Sequence, residues 1–301
     1  FFVASPPTGG PARMSVAKAE QCMQDAEKKL SKGKLASLFG GNKYEDAQDL
    51  FKQGAIYYKA NSRWEEAGNA YLRAAECSVQ LKCQLDTAGF FSEAASMFKK
   101  VNVFKAAECM QKACDVWDVT GRAGKSAKLA NELADLFDAN GESESAIEWY
   151  NKAADYYQSE GSIATASQCK IKVATHHATT GNFQDAIDIF EETGAAYTED
   201  NLLKSSCIRY YFMALLCRLA RQDAVDEVRA AFMRYQDKDL LFTSDTREHV
   251  LIEGVLAALA AIDVDAFEQA VEKFASISPL DPLKKQLVEQ AQKALTDPAL
   301  I

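Results

Sequence analysis

The chain has 301 residues, of which 48% are hydrophobic, and this is enough to bury a large core. Its formal net charge of -9 argues against a nucleic-acid-binding protein that depends on overall charge, although a local basic patch is compatible with it. The longest apolar stretches, such as residues 252–262, are shorter than the roughly 20 residues of a membrane span, so no transmembrane helix is expected.

Residues 1–13 are rich in proline and glycine and precede Met14. They lack the basic and long apolar regions of a signal peptide, so we expect a disordered leader or a cloning remnant outside the fold. Without a secretory signal, the eight cysteines are expected to be reduced thiols of a cytoplasmic protein. They contain no Cys-x-x-Cys pair, which favours buried small hydrophobes over metal ligands, and we expect no metal or cofactor.

The segment KGKLASLFGGNK at 32–43 has an apolar cluster, Leu35, Leu38 and Phe39, between lysines. The sequence supports two interpretations of this segment about equally well. The segment is either an ordinary interhelical loop with core-facing hydrophobes or an apolar loop that inserts into a membrane surface, where its lysines would favour anionic lipid.

A repeat of about 20 residues dominates the middle of the chain. No proline occurs between Pro11 and Pro279, which predicts long helical content. Glycines recur every 20 residues, as expected of residues that end successive helices, at Gly121, Gly141, Gly161 and Gly181. Alanines recur every 19 to 21 residues, at Ala47, Ala67, Ala88, Ala107, Ala127, Ala146, Ala166 and Ala186.

Aromatic and aliphatic residues surround each alanine at helical spacing, so two 20-residue units form one helical hairpin. The pattern predicts an all-α fold: a right-handed tetratricopeptide-like (TPR-like) helical-hairpin solenoid, or α-α superhelix, over residues 14–200. From about residue 201 the repeat dissolves while helical patterning continues, which predicts a C-terminal helical bundle and tail over 201–301. The exposed faces of such an array favour binding an extended protein partner.

No phosphate-binding loop, nucleophile elbow, zinc-protease helix or kinase motif occurs in the sequence. Paired carboxylates such as Glu65 and Glu66 lie within amphipathic patterns and are best interpreted as solvated helix faces. The chain is therefore not expected to be an enzyme. A catalytic site would have to be built from scattered carboxylates.

One set of basic residues stands out within the repeat, namely Lys99, Lys100, Lys105, Arg122, Lys125, Lys128 and Lys172. Basic runs are usually solvated faces. If these residues share one surface, an acidic helical bundle is the natural partner.

Eight segments, in order from about Met14 to the C-terminus, resemble the soluble NSF attachment proteins (SNAPs) of the alpha or Sec17 type. They are SLFGG (37–41), WEEAGNAYLRAA (64–75), FSEAASMFKK (91–100), AIEWYNKAADYYQSE (146–160), AIDIFEETG (186–194), LLK (202–204), SDTRE (244–248) and FASISPLD (274–281). The resemblance implies a non-enzymatic adaptor of vesicle-mediated protein transport, including transport between the endoplasmic reticulum and the Golgi. Several copies of such an adaptor wrap a SNARE four-helix bundle and recruit a hexameric NSF-type AAA+ ATPase that dismantles it. A generic TPR-like scaffold with other partners is the alternative.

The resemblance also assigns site residues. The SNARE-binding residues of the family correspond to Arg122, Lys128, Lys172 and Arg247, while two further family lysines correspond to Gln168 and Ile208, the second compensated by Arg209. Lys99 and Lys100 complete the expected SNARE-binding set.

The membrane loop of the family corresponds to Leu35, Leu38 and Phe39, which implies a peripheral position on the cytosolic face of membranes. The acidic ATPase-binding end corresponds to a segment where alanines replace expected acids, at Ala257, Ala260 and Ala261. The remaining ATPase-binding candidates are Leu300, Asp297, Asp263, Asp265 and Glu253.

Overall fold

The computed structural model describes residues 11–31, 42–199, 203–239 and 242–296, with side chains from residue 16 onward. Within these ranges the regular structure is helical throughout. The α-helices are α1 Pro11–Ser31, α2 Lys43–Ala60, α3 Trp64–Gln80, α4 Gln84–Phe98, α5 Val103–Val119, α6 Ala123–Ala139, α7 Ser143–Ser159, α8 Ile163–Thr180, α9 Phe183–Glu199, α10 Cys207–Ala220, α11 Val225–Lys238, α12 Arg247–Ala261, α13 Val264–Ile277 and α14 Pro282–Thr296. A short 3₁₀ turn, Lys204–Ser206, precedes α10.

The chain forms two compact units, which we call unit 1 (Phe1–Ile163) and unit 2 (Ala164–Ile301). In unit 1, each helix from α1 to α6 packs against the next one along the chain, up to α7. The predicted domain boundary near residue 200 lies inside unit 2, at residues outside the described ranges, and stays a prediction.

Helix α1 begins at Pro11, so its first residues belong to the segment that the sequence predicted to be a leader. Proline is compatible with a first helical turn because the N–H that it lacks has no intrahelical partner there. The predicted segment at 32–43 lies almost entirely outside the described residues, since description resumes at Asn42, the N-cap of α2.

The alanine repeat is the packing surface of the helices, as predicted. All eight alanines are buried, and so are the seven that follow them one or two turns later, namely Ala55, Ala74, Ala95, Ala113, Ala134, Ala153 and Ala174. Gly68 also permits a close helix contact, because an added Cβ there would meet the buried ring of Phe98 at 2.8 Å. Small side chains therefore let neighbouring helices approach closely, and the all-α, TPR-like fold is confirmed.

The helix ends share one backbone geometry. Gly121, Gly141, Gly161 and Gly181 all have positive φ, between 67° and 85°, as expected of helix-terminating residues. At the next residue the backbone N–H bonds to the carbonyl five residues back, for example Arg122 to Trp117 at 2.9 Å and Glu142 to Phe137 at 3.0 Å. This arrangement is the Schellman motif, which satisfies carbonyls at a helix end.

Four further helices end in the same way without glycine. The residues with positive φ there are Ser62, Lys82, Gln222 and Ile262. The Schellman bond is present in each, for example from Arg63 to Tyr58 at 3.0 Å and from Cys83 to Ser78 at 3.0 Å. Positions 62 and 82 therefore extend the 20-residue period of turns toward the N-terminus.

Unit 2 has an apolar core of large side chains, centred on α10. All but three of its 14 residues are buried, so the helix is apolar on every side. Its aromatic rings pack against neighbouring helices: Tyr211 stacks on Tyr235 at 4.7 Å between centroids, and Phe212 contacts Phe274 at 5.6 Å.

A polar network links α9, α10 and α11 at the edge of this core. The Arg218 guanidinium donates to Glu191 at 2.6 Å, and the Tyr235 hydroxyl donates to the same carboxylate. Burial alone would raise the pKa of Glu191, but the hydrogen bonds from Tyr235 and Arg218 outweigh it and hold that pKa below its ordinary value. Asp223 accepts two bonds of 2.6 Å from Arg221 and stands 3.5 Å from Arg218.

Most of the cysteines are buried, as the sequence predicted. All eight are free thiols, and six are buried. Burial raises the pKa of Cys109 to about 11 and that of Cys217 to about 12, so these thiols remain protonated and pack as small hydrophobes.

Candidate partner-binding surface

A groove in unit 1 brings together three of the predicted basic residues. It lies across α4, α5 and α6 and has a volume of about 360 Å³. Its charged and aromatic lining consists of Lys99, Lys125, Lys128, Glu93, Glu132 and Trp117. The basic set of the sequence thus contains a real cluster, on helices that are consecutive in the repeat.

The charges in this groove are unevenly paired. Glu132 is engaged by Lys99 at 2.9 Å, and Glu93 is engaged by Lys59 at 3.3 Å. By contrast, Lys125 and Lys128 form no ion pair within the described part of the chain. Because both glutamates that line the groove already have cationic partners, the groove presents an excess of positive charge.

Trp117 forms the aromatic wall beneath these cations. Its ring is buried, with the Lys125 Nζ 4.1 Å from the ring centroid and the Arg122 guanidinium carbon 5.9 Å from it. The turn between α5 and α6 creates this arrangement: Gly121 closes α5, Arg122 is the N-cap of α6, and Lys125 follows in the first turn. Trp117 was not among the predicted residues, although the basic residues that follow it at intervals of three, at 122, 125 and 128, indicate a shared helix face.

Two other predicted residues lie outside this groove. The Lys100 ammonium is 3.7 Å from the centroid of the Trp64 ring, and Lys105 pairs with Glu65 at 3.0 Å. Lys105 also stands 5.3 Å from the ring of Phe98. Both lysines are therefore engaged by side chains of unit 1.

The remaining basic candidates are exposed on three helices of unit 2: Lys172 on α8, Arg209 on α10 and Arg247 at the start of α12. Arg247 is 3.0 Å from the carboxylate of its neighbour Glu248. It also lines an apolar groove of about 450 Å³ between α12 and α13, where Val250 and Ile277 are exposed.

The acidic candidates differ in how much of their charge is available. The Asp263 carboxylate caps α13 by accepting from the Ala266 N–H at 2.9 Å, and Glu253 stands 3.5 Å from Arg229. Asp265 is exposed in the first turn of α13. Asp297 and Leu300 lie outside the described residues, as do the loop residues Leu35, Leu38 and Phe39.

The described residues contain no group of three or more His, Cys, Asp or Glu side chains that could hold a metal ion. His176 and His177 are half-buried on α8, and His177 Nδ1 is 3.8 Å from Asp185. The described helices include no candidate for a membrane-spanning segment.

The helical hairpins define a TPR-like repeat protein, and unit 1 carries a cationic groove. Comparison with known proteins identifies which repeat family this is. The family model described as soluble NSF attachment protein, SNAP, matches residues 17–296. The chain belongs to the soluble NSF attachment protein family.

Individual relatives agree with this assignment over nearly the whole chain. The beta-soluble NSF attachment protein of Bos taurus is 35% identical over 92% of this chain and 94% of its own length. The alpha-soluble NSF attachment protein of Mus musculus is 33% identical, covering 93% of this chain and 95% of its own. A probable vesicular-fusion protein sec17 homolog of Schizosaccharomyces pombe is 29% identical, covering 93% and 100%.

Proposed function

We propose that this chain is a non-enzymatic adaptor that binds assembled SNARE complexes and recruits an NSF-type AAA+ ATPase to disassemble them during vesicle fusion. The observation that carries the proposal is membership of the soluble NSF attachment protein family over residues 17–296. Relatives named as NSF attachment proteins and as a vesicular-fusion protein favour this function over a generic scaffold with unrelated partners.

The groove of unit 1 supports the SNARE-binding part of the proposal. A four-helix bundle with an acidic surface is long and rigid, so it suits a repeat protein that exposes extended faces. Arg122 and Lys128 carry positive charge without an ion-pair partner in the described residues, and opposite charge on the bundle would accelerate association and set its register. Lys172, Arg209 and Arg247 would add contacts from unit 2.

Charge reversal in the groove tests this part. Lys128→Glu should weaken binding to an immobilised, assembled SNARE complex about tenfold at low salt, because attraction becomes repulsion where screening is weak. Lys52→Glu is the matched control, since Lys52 is also exposed and changes net charge equally but does not line the groove. Binding of the Lys128 variant at the level of this control would move the interface elsewhere, and failure of the unaltered protein to bind would reject the SNARE-binding role.

The ATPase-binding part rests on the C-terminal end of the chain. Asp265 is exposed and free of an ion pair in the described residues, whereas Asp263 and Glu253 already have roles within unit 2. Asp297 and Leu300 complete the proposed contact. Gel filtration of a mixture of the chain, SNARE complex and ATPase distinguishes this adaptor from a scaffold. The adaptor should form a ternary complex, whereas a scaffold would bind SNARE complex without retaining the ATPase.

The membrane-binding part concerns Leu35, Leu38 and Phe39. Apolar side chains between lysines suit insertion into an anionic bilayer surface, which would hold the adaptor peripherally on the cytosolic face. Leu38→Ser together with Phe39→Ser should reduce co-flotation with phosphatidylserine-containing liposomes while leaving SNARE binding in solution intact. Unchanged co-flotation would argue against a membrane role for this segment.

A further inference from the structure

Two lysines on the first turns of α6 share the groove of unit 1. Lys125 and Lys128 are three residues apart and therefore lie on one face of the helix. Neither has an ion-pair partner among the described residues, because the nearby Glu132 is held by Lys99. Their mutual repulsion is unfavourable in the free protein and would be relieved by a ligand that brings two negative charges.

Lys125 differs from other exposed lysines in being restrained. Its ammonium lies 4.1 Å from the centroid of the Trp117 ring, within the range of a cation–π interaction. The ring itself is buried and fixed by the packing of α5. A lysine that is already held over an aromatic face loses less conformational entropy when it binds a partner.

We propose that Lys125, positioned by Trp117, is a further partner-contacting residue, and that Lys125 and Lys128 together bind two carboxylates on one face of an acidic helix. The inference rests on the proposed function, in which the partner is a SNARE bundle. Side chains three or four residues apart on any α-helix are about 5–6 Å apart at Cβ. The two cations on α6 therefore match two partner carboxylates at the same helical spacing, and Lys99 serves the groove by neutralising Glu132.

A second lysine in unit 1 provides a matched control. Lys152 lies 4.1 Å from the centroid of Trp149, the same separation as between Lys125 and Trp117. Lys152 pairs with Glu148 at 2.7 Å, however, and does not line the groove. Neutralising either lysine removes one charge and one cation–π contact, but only Lys125 faces the proposed partner.

The test measures affinity for a fluorescently labelled, assembled SNARE four-helix bundle at low salt. We expect Lys125→Gln to weaken binding about fivefold, Lys125→Arg to stay within about twofold of the unaltered protein, and Lys152→Gln to have no effect. Equal affinities of Lys125→Gln and Lys152→Gln would overturn the inference. If Lys128→Glu still weakened binding in that case, the proposed function would stand without the contribution of Lys125.

The positioning role of Trp117 needs its own readout. Trp117→Tyr keeps an aromatic face beneath Lys125, whereas Trp117→Leu removes it. We expect only the leucine variant to weaken SNARE binding, with circular dichroism confirming that both variants fold. Equal affinities of the two variants would overturn the positioning role, and absence of binding by the unaltered protein would reject the proposed function together with this inference.

Discussion

The helices of the two units pack through different kinds of side chain. Unit 1 places buried alanines at nearly constant intervals, so its successive helices approach one another closely and leave polar faces exposed. Unit 2 surrounds one almost entirely buried helix, α10, with large aromatic side chains and a partly buried ion-pair network. The packing of unit 1 therefore depends on regular spacing, whereas that of unit 2 depends on particular contacts between large or charged side chains.

The largest effect is expected where unit 2 depends on its ion-pair network. Arg218→Met leaves the partly buried Glu191 carboxylate without its cation and should destabilise the fold by about 3 kcal/mol. Arg229→Met should cost less than about 1 kcal/mol, because Arg229 is 39% exposed whereas Arg218 is 16% exposed.

Urea denaturation can assign this loss to a unit. All three tryptophans, Trp64, Trp117 and Trp149, lie in unit 1, so their fluorescence reports on that unit while circular dichroism reports on both. A separate, earlier transition in circular dichroism for Arg218→Met would show that the units unfold independently. Equal midpoints for the Arg218 and Arg229 variants would contradict the importance of the network.

The next largest effects on stability are expected at glycines where two helices are in close contact. Gly68→Ala in unit 1 and Gly194→Ala in unit 2 each place a Cβ about 2.8 Å from a buried ring, that of Phe98 or Tyr211, and should destabilise by about 2 kcal/mol. Gly89→Ala is the control, because an added Cβ there meets nothing within 4 Å and alanine favours the helix by about 1 kcal/mol. The close-packing account would be wrong if all three variants shifted the unfolding midpoint in the same direction.

Substitutions in the turns of the repeat should change the free energy of unfolding by about 1 kcal/mol, in opposite directions. Gly121→Ala should destabilise, since its φ of 67° disfavours a Cβ, whereas Ser62→Gly and Lys82→Gly should stabilise by relieving φ values of 58° and 56°. Tryptophan fluorescence during urea denaturation measures all three in unit 1. A loss of stability in both glycine variants would show that Ser62 and Lys82 make contacts that outweigh their backbone strain.

The smallest effect is a pH dependence of unit 2. The pKa of Glu191 in the folded protein lies below its ordinary value of 4.5. The ionised Glu191 carboxylate therefore contributes its full share to the stability of the fold above about pH 4.5, and this contribution is lost as the pH falls through the folded pKa. We expect the unfolding midpoint measured by circular dichroism to fall more steeply below pH 4.5 in the unaltered protein than in Glu191→Gln. Parallel profiles would show that Glu191 does not contribute to acid sensitivity.

The fold of unit 1 was predictable because the residues that mark its helix faces and helix ends recur at a regular spacing in the sequence. Alanine at every twentieth position and glycine at Gly121 or Gly141 mark packing faces and helix ends without knowledge of tertiary contacts. Ser62 and Lys82 escaped notice because a Schellman hydrogen bond offsets the cost of their backbone conformation, and no residue type reveals that bond.

The candidate site was predictable only in part. The basic residues were visible in the sequence, but their availability depends on which carboxylates reach them, as Glu132 reaches Lys99. The network of unit 2 was hidden for the same reason, since Glu191 meets Arg218 and Tyr235 across separations of 27 and 44 residues. The repeat indicates which residues are buried on a helix face, but it does not indicate which polar side chains of different helices meet.

Reconstituted SNARE disassembly tests the adaptor function most directly. A SNARE complex labelled with a fluorescence donor and acceptor is incubated with the hexameric ATPase and ATP, with or without this chain. The account predicts rapid loss of energy transfer only when the chain is present, and a severalfold slower loss with Lys128→Glu. A rate of disassembly that the chain does not raise above that of the ATPase alone would contradict it.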